Sequence, residues 1–196
     1  MESDKAVLIE EYKMLRAEII NCINLQNTLC TFVITATSAI LALALTYGQP
    51  LLFLLPMAII IPLQGRIFHY RRNILKLSAY NIVFLEPQIK DIMWETRHQE
   101  FSKRVGKYEV SLFRNYENFF LGLICYLLYI FKYFPSMPEA PGTRILLIFA
   151  PLIPVLYLGI MGALTNRGLK TRSTYISLWR QVQKGENADD SAQDHA

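Results

Sequence analysis

The sequence has few charged residues and few cysteines, and these two shortages exclude several classes of protein. Only 18% of its 196 residues are charged, whereas a soluble domain carries about 25%. There are three cysteines, Cys22, Cys30 and Cys125, an odd number with neither paired nor metal-ligand spacing. A disulfide-built extracellular scaffold is therefore not expected.

Residues that could carry catalysis or bind a cofactor are also scarce. The three histidines stand far apart, and none has a second ligand at metal spacing. There is no glycine-rich phosphate loop and no nucleophile elbow. Scattered acids in the middle of the chain are interpreted as a solvated helix face: Glu86, Asp91, Glu95 and Glu100. We expect no enzyme activity, no metal site and no cofactor.

What the sequence has instead is apolar residues, 53% of the total, gathered in four blocks. The first block contains twenty residues without a charge, about the length needed to cross a bilayer. Pro56 and Pro62 in the second block predict a kink, which is tolerable where neighbouring helices satisfy the freed carbonyls. The four candidate spans are residues 28–47, 51–68, 116–134 and 145–165.

The distribution of Lys and Arg predicts the orientation. The turn after the first span has none and the loop 132–144 has two, whereas residues 64–115 have ten and the tail after residue 165 has five. Since positive charges stay inside, both termini and the middle segment are predicted to be cytoplasmic. Arg66, Arg71 and Arg72 would then stop the second span and contact anionic lipid.

The polar segments next to the spans are also predicted to be helical. Apolar residues of the N-terminal segment recur at spacings of four, three, four and four: Leu8, Tyr12, Leu15, Ile19 and Ile23. This helix is expected to run straight into the first span, since no breaker precedes it. A second stripe should end near Pro87: Ile74, Leu77, Tyr80 and Phe84. A third, shorter stripe lies at 175–182, and the acidic residues from Gly185 onward are predicted to be disordered.

The predicted fold class is thus an all-α integral membrane protein of the inner membrane, with four transmembrane helices as two hairpins and cytoplasmic helical extensions. No cleavable signal peptide is seen in the first 27 residues, so the first span is expected to be a signal anchor. The predicted segments are a cytoplasmic helix (1–27), hairpin 1 (28–68), a cytoplasmic helical segment (69–115), hairpin 2 (116–166) and a cytoplasmic helix with a disordered tail (167–196).

Small and polar side chains form a seam along one face of the first span, at alternating spacings of three and four. Its members are Asn21, Asn24, Thr28, Thr31, Thr35, Ser38 and Ala42. One interpretation is helix packing, since small residues let backbones approach and hydroxyls bond across the contact. The other is the wetted wall of a pore in a homo-oligomer, which the two amides at the cytoplasmic end favour. No charge lies in the middle of any span, which argues against an ion-coupled transporter.

Two short patterns flank the first hairpin, Glu11-Tyr12-Lys-Met-Leu-Arg16-Ala-Glu18-Ile and Tyr80-Asn-Ile-Val-Phe-Leu-Glu86, with Trp94-Glu95 after them. Together they resemble a pattern in small, uncharacterised bacterial inner-membrane proteins, over about the first half of the chain. That resemblance implies no activity. In architecture alone, the chain is similar to membrane effectors or sensors of bacterial anti-phage systems, which depolarise or permeabilise the inner membrane.

These observations predict an oligomeric pore or membrane-perturbing effector that is gated through its cytoplasmic helices. The alternative is a non-conducting membrane anchor or sensor that recruits a soluble cytosolic partner through residues 64–115. The expected partners are the lipid bilayer, further copies of the chain and a cytosolic protein. Nucleic acid is not favoured, because five acids dilute the ten bases of the middle segment.

Overall fold

The computed structural model describes residues 2–89, 92–105, 112–138, 140–166 and 168–193. Within these ranges the chain is helical, without strands, which confirms the all-α class. The seven α-helices are α1 (Glu2–Tyr47), α2 (Leu55–Tyr80), α3 (Trp94–Val105), α4 (Leu112–Tyr133), α5 (Pro141–Phe149), α6 (Leu152–Asn166) and α7 (Gly168–Gln193). Short 3-10 helices occupy Pro50–Leu54 and Phe134–Ser136, and a π-helical turn occupies Asn81–Leu85.

Three helical stretches are long and apolar enough to span a membrane, which indicates a membrane protein. They are Lys5–Tyr47, Pro50–Leu85 and Pro141–Leu164. The predicted third span corresponds to α4, which is not one of the three. Its apolar stretch is diluted by tyrosines and by polar groups at both ends.

The first hairpin follows from local sequence. α1 is a single helix of 46 residues, so the predicted N-terminal helix does continue into the first apolar block. It ends at Gly48, which has a φ of +66°, the left-handed conformation that favours glycine. The Gly48 N–H bonds the Ala44 carbonyl at 3.0 Å, and Pro50 begins the next helix with its φ already suitable.

Prolines divide the last apolar block and shape the second. Pro151 separates α5 from α6 and has no N–H to donate to the Leu147 carbonyl. That carbonyl instead accepts a hydrogen bond from the Tyr129 hydroxyl at 3.2 Å, and the Tyr126 hydroxyl bonds the Ile148 carbonyl at 3.2 Å. Side chains of α4 thus satisfy the carbonyls that the break leaves open. In the second block, Pro62 lies inside α2.

The helices form two compact units. One, here the apolar unit, comprises residues 25–69 and 111–166. Its interior consists of three clusters of buried side chains, each joining α4 or α6 to the first hairpin. The buried members are Val33 with Ile60 and Leu158, Ala44 with Phe53 and Tyr129, and Met57 with Cys125 and Val155.

The other, here the polar unit, comprises residues 1–24, 70–110 and 167–196. In its apolar core, Ala79 and Val83 pack against Tyr175 and Ile176 of α7. Trp179 covers this core and donates its indole N–H to the Lys76 carbonyl at 3.2 Å. Ile19, Leu85 and Ile89 of the same unit are buried as well.

The polar unit differs from expectation at three places. The predicted α2 stripe is only half-buried, whereas Ser78, Ala79 and Asn81 are buried. Ile23 is 40% exposed although it continues the α1 stripe. The segment from Gly185, predicted to be disordered, is helical as far as Gln193, and its alanines, glutamate and glutamine are good helix formers.

Candidate functional site

Glu95, near the start of α3, is the centre of a buried ionic cluster in the polar unit. It is only 5% exposed. One carboxylate oxygen lies 3.1 Å from a guanidinium nitrogen of Arg16 on α1, and the other lies 3.6 Å from one of Arg172 on α7. Ser78 of α2 donates a hydrogen bond of 2.7 Å to Glu95 and accepts one of 2.7 Å from Arg172. Four helices therefore meet at one carboxylate.

Glu86 holds the start of α3 in place. Its carboxylate accepts the backbone N–H of Glu95 at 2.6 Å and that of Thr96 at 3.1 Å, and it also accepts the Thr96 hydroxyl. The first N–H groups of a helix have no partner within it, and the positive end of the helix dipole favours a carboxylate there. Glu86 is buried, so it caps α3 from a distance of nine residues and orients Glu95 toward its arginines.

The burial of these charges makes the cluster depend on all of its members. Removing an ion from water costs several kcal/mol, and only close partners offset that cost. Burial lowers the pKa of Arg172, while the Glu95 carboxylate opposes the shift. Loss of Glu95 would leave Arg172 as a buried, uncompensated cation.

Some buried polar atoms near the cluster have no hydrogen-bond partner among the described residues. They are both side-chain amide atoms of Asn81 and the Nε of Arg172. Asn81 is fully buried and begins the π-helical turn. Buried unpaired polar groups are rare in native proteins, and π-turns frequently occur at functional sites. The cluster therefore lies beside a locally irregular and costly piece of backbone.

The interpretation of the middle acids as a solvated face is wrong for two of them. Glu86 and Glu95 are buried and paired, whereas Glu100 is exposed; Asp91 lies outside the described residues. Pro87 and the turn that follows it interrupt the helical period between the two buried acids, so a helical-face argument does not apply to them.

The residues that carried the family resemblance come together here. Arg16 pairs with Glu95, and Glu86 caps the helix that bears Glu95. The Tyr80 hydroxyl donates to the Glu11 carboxylate at 2.7 Å. Residues of the two quoted patterns thus contact one another within the polar unit.

From Thr28 to Ala42, the predicted seam lies on the face of α1 that points away from the interior of the apolar unit. All seven of its members, from Asn21 to Ala42, are exposed. The opposite face of the same helix is buried at Val33, Thr37 and Ala44. Since residues three and four apart share a helix face, the two sets lie on opposite sides of α1. The seam is therefore not the surface by which α1 packs against its own chain.

Two hydroxyls of the seam are bonded within their own helix. Thr35 donates to the carbonyls of Thr31 and Phe32 at 3.0 and 3.1 Å, and Ser38 donates to Ile34 at 2.8 Å. Such back-bonding satisfies the donor in an apolar environment. Each oxygen can still accept a hydrogen bond from water or from a second helix.

The basic residues at the end of the second apolar block have different environments. Arg66 and Arg72 are exposed, whereas Arg71 is half-buried. The Nε of Arg72 also donates to the Tyr175 hydroxyl at 3.1 Å. Arg72, predicted to face lipid, is therefore tied to α7.

The apolar unit contains polar contacts that the sequence analysis missed. Asn118 of α4 donates its amide to the Gln64 side chain of α2, and both residues are 4% exposed. The Cys30 thiol lies 3.6 Å from a Glu117 carboxylate oxygen. Thr37 is fully buried, and its hydroxyl has no partner among the described residues. These contacts join α1, α2 and α4.

Comparisons with protein-family models, with curated proteins and with solved structures find no match for the chain. In the part of the chain that the structure describes, no three His, Cys, Asp or Glu side chains are grouped so as to hold a metal ion.

Proposed function

We propose that copies of this chain assemble in the bacterial inner membrane into a regulated pore or membrane-perturbing effector. The single observation that carries the proposal is the exposure of the whole polar seam on α1, opposite the face that packs inside the chain. A polar seam that its own chain leaves uncovered suits either a second copy or a column of water. The architectural similarity to anti-phage effectors suggests the setting of such an activity.

In this proposal α4 is the third of four spans, and both termini are cytoplasmic. Support comes from the packing of α4, which supplies the buried Cys125 and Tyr129 to the clusters of the apolar unit. Its tyrosines also satisfy the carbonyls opened by Pro151. The excess of Lys and Arg in residues 64–115 and after residue 165 supports the orientation.

Gating would act through the buried cluster. Arg16, which pairs with Glu95, and the seam belong to the same uninterrupted helix. A change that releases or strengthens the Arg16–Glu95 pair would therefore act on α1, the helix that carries the seam. The cluster suits such a switch because a buried charge without its partner is costly, so intermediate states are disfavoured.

The test is the membrane potential of bacteria that express the chain, measured with a voltage-sensitive dye at matched membrane levels. We expect wild-type chain to depolarise the cells and the Thr31/Thr35/Ser38→Leu variant not to. A Thr31→Ser/Thr35→Ser/Ser38→Thr variant keeps the hydroxyls and should depolarise. Depolarisation by the leucine variant equal to wild type would contradict a pore lined by the seam.

A matched control changes exposed apolar residues of the same helix that lie outside the seam. Phe32, Leu43 and Leu45 are all more than half exposed, and Phe32→Leu/Leu43→Ile/Leu45→Ile should leave depolarisation unchanged. If this control variant lost depolarisation as fully as the Thr31/Thr35/Ser38→Leu variant, α1 would tolerate no triple substitution. The seam would then have no special role.

The oligomer can be tested without opening the pore. In a chain whose three cysteines are replaced by alanine, Ser38→Cys should form disulfide-linked oligomers in oxidised membranes. Leu43→Cys, on the flank of the helix, should form few. Absence of crosslinks from Ser38→Cys, with clear crosslinks from Leu43→Cys, would place the contact elsewhere.

The second candidate function is a membrane anchor or sensor that recruits a soluble protein through residues 64–115. The observation that favours it is the exposure of large apolar side chains on and beside α3. Met93 is 41% exposed, Trp94 55% and Phe101 62%, and such residues are enriched in protein interfaces. An anchor should lose its function on Trp94→Ala/Phe101→Ala and tolerate the seam variants, whereas a pore should show the reverse.

A further inference from the structure

We propose that a groove in the polar unit binds a small, phosphate-bearing organic molecule. The groove has a volume of about 620 Å³, within the range of about 300–1,000 Å³ that is usual for ligand pockets. Side chains of the π-helical turn, α3 and α7 line it. This proposal goes beyond the pore, because binding to the polar unit does not require that the apolar unit conducts.

The groove carries positive charge. Arg180 and Lys184 both line it, and their spacing of four places them on the same face of α7. As far as the structure describes the lining, no acidic side chain contributes to it. Two cations at this spacing repel each other and destabilise the helix slightly. An oxyanion between them would remove that repulsion and gain charge-assisted hydrogen bonds.

The rest of the lining suits an organic ligand better than bare phosphate. Gln99 of α3 and Gln181 of α7 bring side-chain amides to the groove, and amides donate to oxyanions as well as to heterocycles. Ile82 and Ile176 contribute apolar surface, against which a sugar or a base can pack. A pocket with a few polar groups and an apolar wall is the usual form of a small-molecule site.

Thr96 joins this groove to the buried cluster. It lines the groove, while its N–H and hydroxyl bond to Glu86. The charge of Glu86 is offset there by the first N–H groups of α3, and the residue is 4% exposed, so it presents little negative charge to a ligand. A ligand held between α3 and α7 would thus stabilise the helices that meet at Glu95.

The experiment uses the full chain purified in neutral detergent at low salt, with calorimetric titration of ATP, pyrophosphate and adenosine. We expect ATP and pyrophosphate to bind and adenosine to bind far more weakly. Arg180→Gln/Lys184→Gln should weaken ATP binding by about tenfold or more, the loss expected when charge-assisted hydrogen bonds are removed. Lys5→Gln/Lys13→Gln removes the same charge from exposed residues of α1 and should leave ATP binding unchanged.

The phosphate could belong to a free molecule or to a lipid headgroup, and the same variants distinguish the two. ATP binding is also measured in nanodiscs with and without phosphatidylglycerol. If phosphatidylglycerol competes with ATP for the wild-type chain but does not change ATP binding to the Arg180→Gln/Lys184→Gln chain, the site exists and a lipid headgroup is its occupant. ATP binding unaffected by phosphatidylglycerol would support a soluble ligand.

ATP binding that is as tight in Arg180→Gln/Lys184→Gln as in wild type would overturn the proposal. So would the absence of any binding of ATP, pyrophosphate or phosphatidylglycerol to wild type. The circular dichroism of the double variant must remain that of wild type. Since no readout here is a membrane potential, failure of this site is distinct from failure of the pore.

Discussion

The two units of this chain are stabilised in different ways. In the polar unit, an apolar core accompanies a buried carboxylate, Glu95, that is bonded to three other helices. In the apolar unit, three apolar clusters supply most of the interior, with one buried amide pair, Gln64 with Asn118. Among the described residues, the buried carboxylate that is paired with arginines lies in the polar unit, whereas the apolar unit buries a pair of neutral amides.

This difference has a physical reason. In water, burial of apolar surface brings helices together without much specificity, and a buried ion pair can add a requirement for one arrangement. Between helices in lipid, the hydrophobic effect is absent, so close packing and hydrogen bonds must supply the association. Four changes test this comparison.

The largest loss in the free energy of unfolding is expected from Glu95→Ala. It leaves Arg172 buried without its carboxylate, and breaking a buried pair costs about 3–5 kcal/mol. We expect the free energy of unfolding, measured by denaturant titration in mild detergent, to fall by that amount. Glu100→Ala, at an exposed acid of the same helix, should change it by less than about 0.5 kcal/mol. Equal losses would mean that the ionic cluster does not stabilise the polar unit.

A smaller loss in the free energy of unfolding is expected when the amide pair of the apolar unit, Gln64 with Asn118, is broken. Gln64→Leu leaves the Asn118 amide buried and unpaired, which costs about 1–3 kcal/mol. Gln64→Leu/Asn118→Leu removes both partners and should restore most of that loss. The measurement is the same denaturant titration, analysed as a double-mutant cycle. Losses that simply add in the double variant would show that the two amides do not depend on each other.

Substitution in the turn of the first hairpin should lower the stability of the protein by a smaller amount. Gly48 has a φ of +66° and open space around it, so Gly48→Ala meets no clash but does adopt a strained backbone, at a cost of about 1–2 kcal/mol. The expected result is a lower midpoint of thermal unfolding in detergent. Gly142→Ala, at the start of α5 and also in open space, is the matched control. An unchanged midpoint for Gly48→Ala would show that the turn relaxes.

The smallest change in the free energy of unfolding is expected from Gly→Ala substitutions inside helices, and its sign should differ between a glycine in open space and a closely packed one. Gly65→Ala in α2 meets nothing within 4 Å and should stabilise by up to about 1 kcal/mol through helix propensity. At Gly122 an added Cβ would lie 2.9 Å from the Cδ1 of Leu158, so Gly122→Ala should lose that gain to repacking. The comparison of the two unfolding free energies is the test, and a gain at Gly122 equal to that at Gly65 would contradict close packing of α4 on α6.

Local features of the fold were predictable from the sequence. The continuity of α1, the turn at Gly48 and Pro50, and the end of regular helix before Pro87 depend on residues within a few positions of each other. Glycine and proline act directly on the backbone. The spacing of apolar residues predicts a helix regardless of the elements against which that helix packs. These local signals do not by themselves give four spans, since α4 is not among the three stretches that are long and apolar enough to cross a membrane.

The buried acids were not predictable by the same means. Glu95 is buried because Arg16, 79 positions away, and Arg172 reach it. Without those partners, an acid in a charged stretch is normally solvated. Likewise, the sequence alone left open whether the seam on α1 is used inside the chain. Its exposure depends on which face the other helices of the apolar unit cover.

By itself, the sequence determined that this chain is helical and apolar enough for a membrane, because helix propensity, chain breaks and the length of apolar runs are local properties. Only the tertiary structure decided which charges are buried and which face of α1 remains open. Those outcomes depend on the sum of contacts from distant segments, and a buried carboxylate is stable only where such contacts supply its counter-charges.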